Sequence, residues 1–252
     1  MKTLTIFGYG SLMTYSSVLK TMPSATNHRR AVTLPPPREA DREAWAPYGF
    51  ERAFTLVSIS GIKSGSANFE TMEVAALALR KAPSTRPGSE VQGVVFEIPE
   101  SEWEPYKERE HRYKFLEIDV KDEYGNRLSS WTVFERTDEE YRATMPEKEY
   151  QERVLQYFQG RLWGDPSVKP LRQYLINCVQ AAIDIEGEGT TSLANLWDQA
   201  YLADGTSIRN YVLSEPARFP DEMVLLAKTT PQYGGAQASD AECDTGFNKS
   251  SL

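Results

Sequence analysis

Near residue 147 the hydrophobic pattern of this chain changes its period, and no other feature limits the available folds as much. Before that point apolar residues fall in short β-branched or aromatic runs, at 4–7, 54–60, 74–79, 91–98, 116–120 and 131–134, with turn residues between them. Runs of this kind are strands of an antiparallel sheet or barrel. A brief helix over 15–22, closed by Pro23, interrupts them. Beyond the change, apolar residues recur at helical intervals: Tyr150, Val154, Tyr157 and Phe158, then Leu171, Leu175 and Cys178, then Leu193, Leu196, Trp197 and Tyr201. Strands first and helices afterwards predict an α+β fold. The expected organisation is a domain over 1–140, a helical extension over 141–231 packed on it, and a tail over 232–252 too rich in Gly, Ala, Ser and Asp to fold. Within the extension, Asp204-Gly205 makes a turn, Thr206 or Ser207 caps a last helix, and Trp197, Tyr201 and Tyr211 pack it against the first part.

Composition narrows the function. At 252 residues the chain is long enough to bury a core and hold a pocket. Its 28 Lys and Arg against 36 Asp and Glu (28 − 36 = −8) oppose nucleic acid and anionic membrane surfaces, which leaves a small molecule or a protein as partner. No apolar run approaches the roughly 20 residues of a membrane helix. The N-terminus runs directly into a strand-like segment, so a cytoplasmic location is expected, as a monomer or homodimer. Cys178 and Cys243 stand in unlike surroundings and imply neither a disulfide framework nor a metal knuckle. With only His28 and His111, a histidine metal site or a Ser-His-Asp relay has little material, and neither metal nor cofactor is expected. The proline-rich segment 35–48 is a surface loop that can border a pocket.

Two motifs carry chemistry. The first strand runs into Gly8-Tyr9-Gly10-Ser11-Leu12, whose backbone N–H groups can form a concave cradle for an anion or oxyanion. A dinucleotide fingerprint needs a small residue where Met13 stands, a P-loop needs an absent Gly-Lys-Ser/Thr, and a nucleophile elbow needs Gly at positions held by Tyr9 and Met13. The plainer alternative is a tight turn after the first strand. Secondly, Trp103, Tyr106, Glu110 and Tyr113 recur at intervals of three, four and three, which on one helix puts the Glu110 carboxylate on an aromatic stripe. There it is desolvated, its pKa rises, and Tyr106 or Tyr113 can orient it for acid/base work. From periodicity alone the commoner arrangement is a solvated charged stretch over 107–112, with His111 exposed or loosely paired.

Ile6-Phe7-Gly8-Tyr9-Gly10-Ser11-Leu12 resembles the Tyr-Gly-Ser signature of the γ-glutamylcyclotransferase family, especially its ChaC-like form. Gly49-Phe50-Glu51-Arg52-Ala53-Phe54, Val91-Gln92-Gly93-Val94-Val95-Phe96 and Arg109-Glu110 with Tyr113 resemble later family segments in the same order, over roughly residues 4–135. The resemblance implies a small mixed β-barrel with flanking helices, here with a C-terminal helical extension. It further implies Glu110 as the acid/base and Tyr9, Gly10, Ser11, Leu12 and Tyr113 as substrate-binding residues. The implied reaction needs no cofactor: the α-amine of a γ-glutamyl compound attacks its own γ-carbonyl and releases 5-oxoproline and an amine. The amine half is left open between glutathione, a γ-glutamyl amino acid or amine, and another conjugate. A non-catalytic γ-glutamyl-binding relative, or an enzyme tailoring a γ-glutamylated secondary metabolite, fits the same residues.

Overall fold

A computed structural model describes residues 2–34, 49–83, 90–186 and 191–229. The expected loop at 35–48, the tail beyond 232 and Cys243 lie outside the described residues. In chain order the described elements begin with β1 (Thr3–Gly8), a 3₁₀ turn (Gly10–Met13), α1 (Tyr15–Thr21) and β2 (Thr26–Thr33). β3 (Phe50–Val57), α2 (Ile59–Lys63), β4 (Glu73–Lys81), β5 (Gln92–Pro99), α3 (Trp103–Arg109), β6 (Lys114–Asp122) and β7 (Arg127–Phe134) follow. The remainder comprises α4 (Asp138–Arg142), α5 (Glu147–Tyr150) running into a π turn (Gln151–Leu155), β8 (Lys169–Pro170) and α6 (Arg172–Glu186). It ends with α7 (Thr191–Gln199), β9 (Ala200–Leu202), α8 (Ile208–Ser214) and α9 (Pro220–Ala227).

The fold is α+β. Five strands close a barrel in the order β1-β5-β2-β6-β7, shut by a parallel bridge between Ile6 and Trp131. A second sheet runs β8-β4-β3-β9, with β3 and β4 antiparallel and the two short strands parallel to them at the edges. β1 pairs with β5 from Thr3 opposite Pro99 to Gly8 opposite Val94. That pairing buries Ile6, Phe7, Val94, Phe96 and Ile98, each contributing roughly 1.5–3 kcal/mol. Gly93 is required on β5 because an added Cβ would stand 2.4 Å from the Gly8 carbonyl oxygen and 2.6 Å from the Phe7 ring. All of β3 is buried, since it is flanked by strands on both sides and covered on both faces.

Several expectations are corrected. The strand expected at 54–60 starts at Phe50 and stops at Val57, because Ser58 Oγ accepts the Gly61 N–H (3.1 Å) and caps α2. β2 has no apolar run to announce it, since Thr26, Asn27, His28, Arg29 and Arg30 lead it and Asn27 has φ 53°. Tyr201 sits in β9 and not in a helix, where its backbone pairs with Ala53. α8, capped by Ser207 Oγ on the Asn210 N–H (3.2 Å), is followed by α9, so it is not the last helix.

The second half of the chain is thus woven into the sheet of the first. β8 and β9 are its edges, and the fully buried Arg52 of β3 donates from Nη2 to Asn195 Oδ1 of α7 (2.6 Å) and from Nη1 to the Gln92 carbonyl (3.3 Å). Trp197 and Tyr211 are buried.

Candidate active site

β1 leads into the glycine loop, and the loop is fixed from three sides. The Tyr9 hydroxyl donates to the Val133 carbonyl of β7 (2.8 Å) and accepts the Leu79 N–H of β4 (2.8 Å), which joins barrel and sheet. Burial holds its phenol far above its ordinary pKa, so Tyr9 is a neutral strut whose hydroxyl is fully engaged. Gly10 follows with φ +65°, a left-handed conformation that costs residues with a Cβ about 1–2 kcal/mol. A Cβ there would also meet Leu77 Cδ2 at 3.1 Å, Tyr174 Oη at 3.2 Å and Cys178 Sγ at 3.4 Å. The third side is therefore α6. The Ser11 side chain lies beside the Tyr174 phenol, and the Ser11 backbone lies beside the Cys178 sulfur. Burial pushes the Cys178 thiol up to about 12, so it packs as a thiol and not as a nucleophile.

Glu110 reaches the same place by ending a helix. α3 stops at Arg109, and Glu110 is its C-cap (φ −95°, ψ 20°). Its N–H donates to the Tyr106 carbonyl (3.0 Å), while its own carbonyl accepts the Tyr113 N–H (2.9 Å). Tyr113 therefore lies outside the helix, in the turn just before β6, and the expected continuous stripe is broken at the acid itself. Neither tyrosine hydroxyl orients the carboxylate: Tyr113 Oη donates to the Leu77 carbonyl (3.0 Å), and Tyr106 Oη has no hydrogen-bond partner among the described residues. The environment is nevertheless aromatic, with Trp103, Tyr106 and Phe115 packed ring to ring.

The Glu110 side chain is 14% exposed, and Arg109 Nε stands 3.3 Å from its Oε1. Burial raises its pKa above the ordinary value, with Arg109 and Arg112 acting in the opposite direction. A carboxylate at a helix C-terminus also faces the negative end of the helix dipole, which favours the protonated form. His111, expected to be exposed or loosely paired, is half-buried with Nδ1 2.9 Å from Tyr141 Oη. Burial first, then Arg112 and Arg153, drives its pKa to about 4, so the imidazole is neutral. It is not part of the pocket wall.

A cavity of about 440 Å³ brings the two motifs together, within the roughly 300–1,000 Å³ typical of small-molecule sites. Tyr9, Ser11 and Leu12 line it from the loop, and Glu110 and Tyr113 from the other side. Gly10 lies behind that wall, packed against α6. Polar lining residues that the sequence pattern did not single out include Arg112, Ser58, Ser60 and Tyr174 of α6. Tyr174 belongs to the helical second half, and only the docking of α6 on the loop shows its position. Among the described residues no cluster of three or more His, Cys, Asp or Glu is placed to hold a metal ion.

No family model matches the chain, and no curated protein does. Solved structures similar to it include a γ-glutamyl cyclotransferase, at 17% identity and a TM-score of 0.39 over 54% of this chain and 68% of that one. An uncharacterized Homo sapiens protein matches at 18% identity and 0.39 over the same shares. An AIG2-like protein from Mus musculus matches at 17% identity and 0.32, over 59% of this chain and 82% of that one. Similarity of this degree assigns no activity. No described helix is long and apolar enough to cross a membrane.

Proposed function

We propose that this chain is a γ-glutamylcyclotransferase that converts a γ-glutamyl compound to 5-oxoproline and a free amine. The observation that carries the reading is the meeting of Glu110, a desolvated carboxylate, with the glycine loop in one cavity. The reaction asks for little more. The substrate's α-amine and γ-carbonyl belong to one molecule, so holding the glutamyl chain folded replaces an encounter by a ring closure. Ionised Glu110 accepts a proton from the α-ammonium as its nitrogen bonds the γ-carbon. The same group then returns that proton to the departing nitrogen as the carbon–nitrogen bond breaks. A raised pKa makes the carboxylate a stronger base for the first half of this exchange, and by bringing the group nearer the working pH it keeps the protonated form accessible as the acid of the second.

The loop's part is to hold the glutamyl end and the developing oxyanion through backbone N–H groups. This role falls to the loop residues that line the cavity, Tyr9, Ser11 and Leu12. Tyr113 serves through its ring and its bond to Leu77, which fixes the start of β6 beside the acid. Tyr174 packs beside Ser11 from the far side of the loop.

Glu110→Gln tests the reading. It keeps the size of the side chain and removes the base, so 5-oxoproline release from γ-glutamyl-alanine or glutathione should fall at least about 100-fold with the melting transition retained. Near wild-type turnover in this variant would end the assignment. Wild-type protein that binds these compounds but releases no 5-oxoproline would identify a γ-glutamyl-binding protein instead.

A further inference from the structure

Three tyrosines line the cavity, and two of them have committed their hydroxyls to backbone carbonyls, Tyr9 to Val133 (2.8 Å) and Tyr113 to Leu77 (3.0 Å). The third, Tyr174, comes from α6 and therefore from the helical second half of the chain. Tyr174 and Cys178 stand four residues apart, on one face of that helix. The face is turned to the glycine loop, since a Cβ at Gly10 would stand 3.2 Å from Tyr174 Oη and 3.4 Å from Cys178 Sγ. Phe54 of β3 holds the tyrosine ring edge to face, with centroids 6.3 Å apart and planes at 81°. The groups beside the hydroxyl are the Ser11 side chain and the Cys178 sulfur. A serine hydroxyl rotates to donate or accept, and a thiol is a weak acceptor, so the phenolic proton is available to a stronger acceptor in the cavity. Burial, with Cys178, Tyr113 and Glu110 acting in the same direction, holds the phenol far above its ordinary pKa, and it stays a neutral donor.

The γ-glutamylcyclotransferase reading, on which this inference rests, indicates which acceptor. As the α-amine nitrogen bonds the γ-carbon, the carbonyl π pair moves onto the oxygen. When that pair returns, the bond to the departing nitrogen breaks, and this nitrogen takes its proton from Glu110. Both nitrogens of the tetrahedral centre meet one carboxylate, so the oxygen points away from Glu110 and toward the glycine loop, where Tyr174 stands. We propose that Tyr174 is a catalytic residue whose phenol donates a hydrogen bond, without giving up its proton, to the γ-carbonyl oxygen as that oxygen becomes negative. Such a donor stabilises the charge most where water is excluded. The second half of the chain thereby supplies part of the reacting site as well as the edges of the sheet.

Tyr174→Phe removes the hydroxyl and keeps the ring against Phe54. With γ-glutamyl-alanine as substrate, kcat for 5-oxoproline release should fall about 10-fold or more while KM changes less than about 3-fold, because the bond strengthens only as the oxyanion forms. The acid limb of the pH profile should stay at its wild-type position, since Glu110 and its surroundings keep their charges. A disturbed loop would move KM and the profile together. Should the phenylalanine variant not melt cooperatively, Tyr174→Met, whose flexible side chain fills the same space without a donor, takes its place with the same expected split. An active wild type whose variant keeps kcat within about 3-fold, or loses only in KM, overturns the assignment of Tyr174 and leaves the cyclotransferase reading intact. If wild-type protein releases no 5-oxoproline from γ-glutamyl-alanine or glutathione, the cyclotransferase reading fails and the role of Tyr174 falls with it.

Discussion

A carboxylate that is largely removed from water resists ionisation, and Glu110 shows this in both activity and stability. As the base it must be ionised, so kcat/KM should drop on the acid side with an apparent pKa above the ordinary 4.5 for glutamate. The sign for stability follows from the same shift. Below about pH 4.5 the folded and unfolded chains both carry the proton and Glu110 costs nothing. As pH rises through that value the unfolded chain ionises first, and the folded state loses stability until its own raised pKa is passed. Glu110→Gln removes this loss, so the variant should melt above wild type near pH 7 and the gain should vanish near pH 4. Melting curves across that range check it, and a variant less stable at every pH would show that burial is not what raises the pKa. Gly10 offers a second measurement. Gly10→Ala combines a positive φ with contacts at 3.1 and 3.2 Å to Leu77 and Tyr174, and should cost about 1–2 kcal/mol in a urea titration.

Among elements, the join between β3 and α7 is the most exacting. Arg52 is a fully buried cation whose best partner is a neutral amide, and burial lowers its pKa to about 10. Asn195 also donates to the Glu90 carbonyl (3.3 Å), so one side chain ties α7 to both β3 and the approach to β5. Asn195→Ala leaves the guanidinium buried with a lost acceptor and should destabilise by about 2–4 kcal/mol. Replacing both residues with apolar ones, Arg52→Met with Asn195→Leu, should recover most of that loss. Equal losses in the single and double variants would show that packing, not the stranded charge, sets the cost. Of the barrel strands, β1, β5, β6 and β7 were legible in advance because each carries a short apolar run bounded by turn residues. β2 was not, since its pairing with β5 and β6 comes through the backbone while its side chains are Asn, His and Arg. β8 and β9 span two and three residues, too few for any period to show. The aromatic spacing pointed to Glu110 although the helix ends beside it. Tyr106 and Tyr113 still flank the acid, one from the helix and one from the turn that leads into β6.

For the whole molecule the consequence is that the second half cannot be treated as an appendage. Removing residues 147–252 strips both edge strands from the sheet, uncovers β3 and takes Tyr174 and Cys178 away from the glycine loop. The truncated chain should be insoluble, or soluble without a cooperative melting transition and without 5-oxoproline release. A soluble fragment of residues 1–146 that melts cooperatively and turns over γ-glutamyl-alanine would contradict this.

The sequence by itself determined the local matters: where strands give way to helices, where the chain must turn through glycine, and which acid stands among aromatic residues. Those follow from periodicity and conformational preference within a few residues of chain. Only the tertiary structure decided that Glu110 and the loop share a cavity and that α6 supplies its back wall through Tyr174. Both depend on contacts between segments about 100 residues apart or more, which no local pattern encodes.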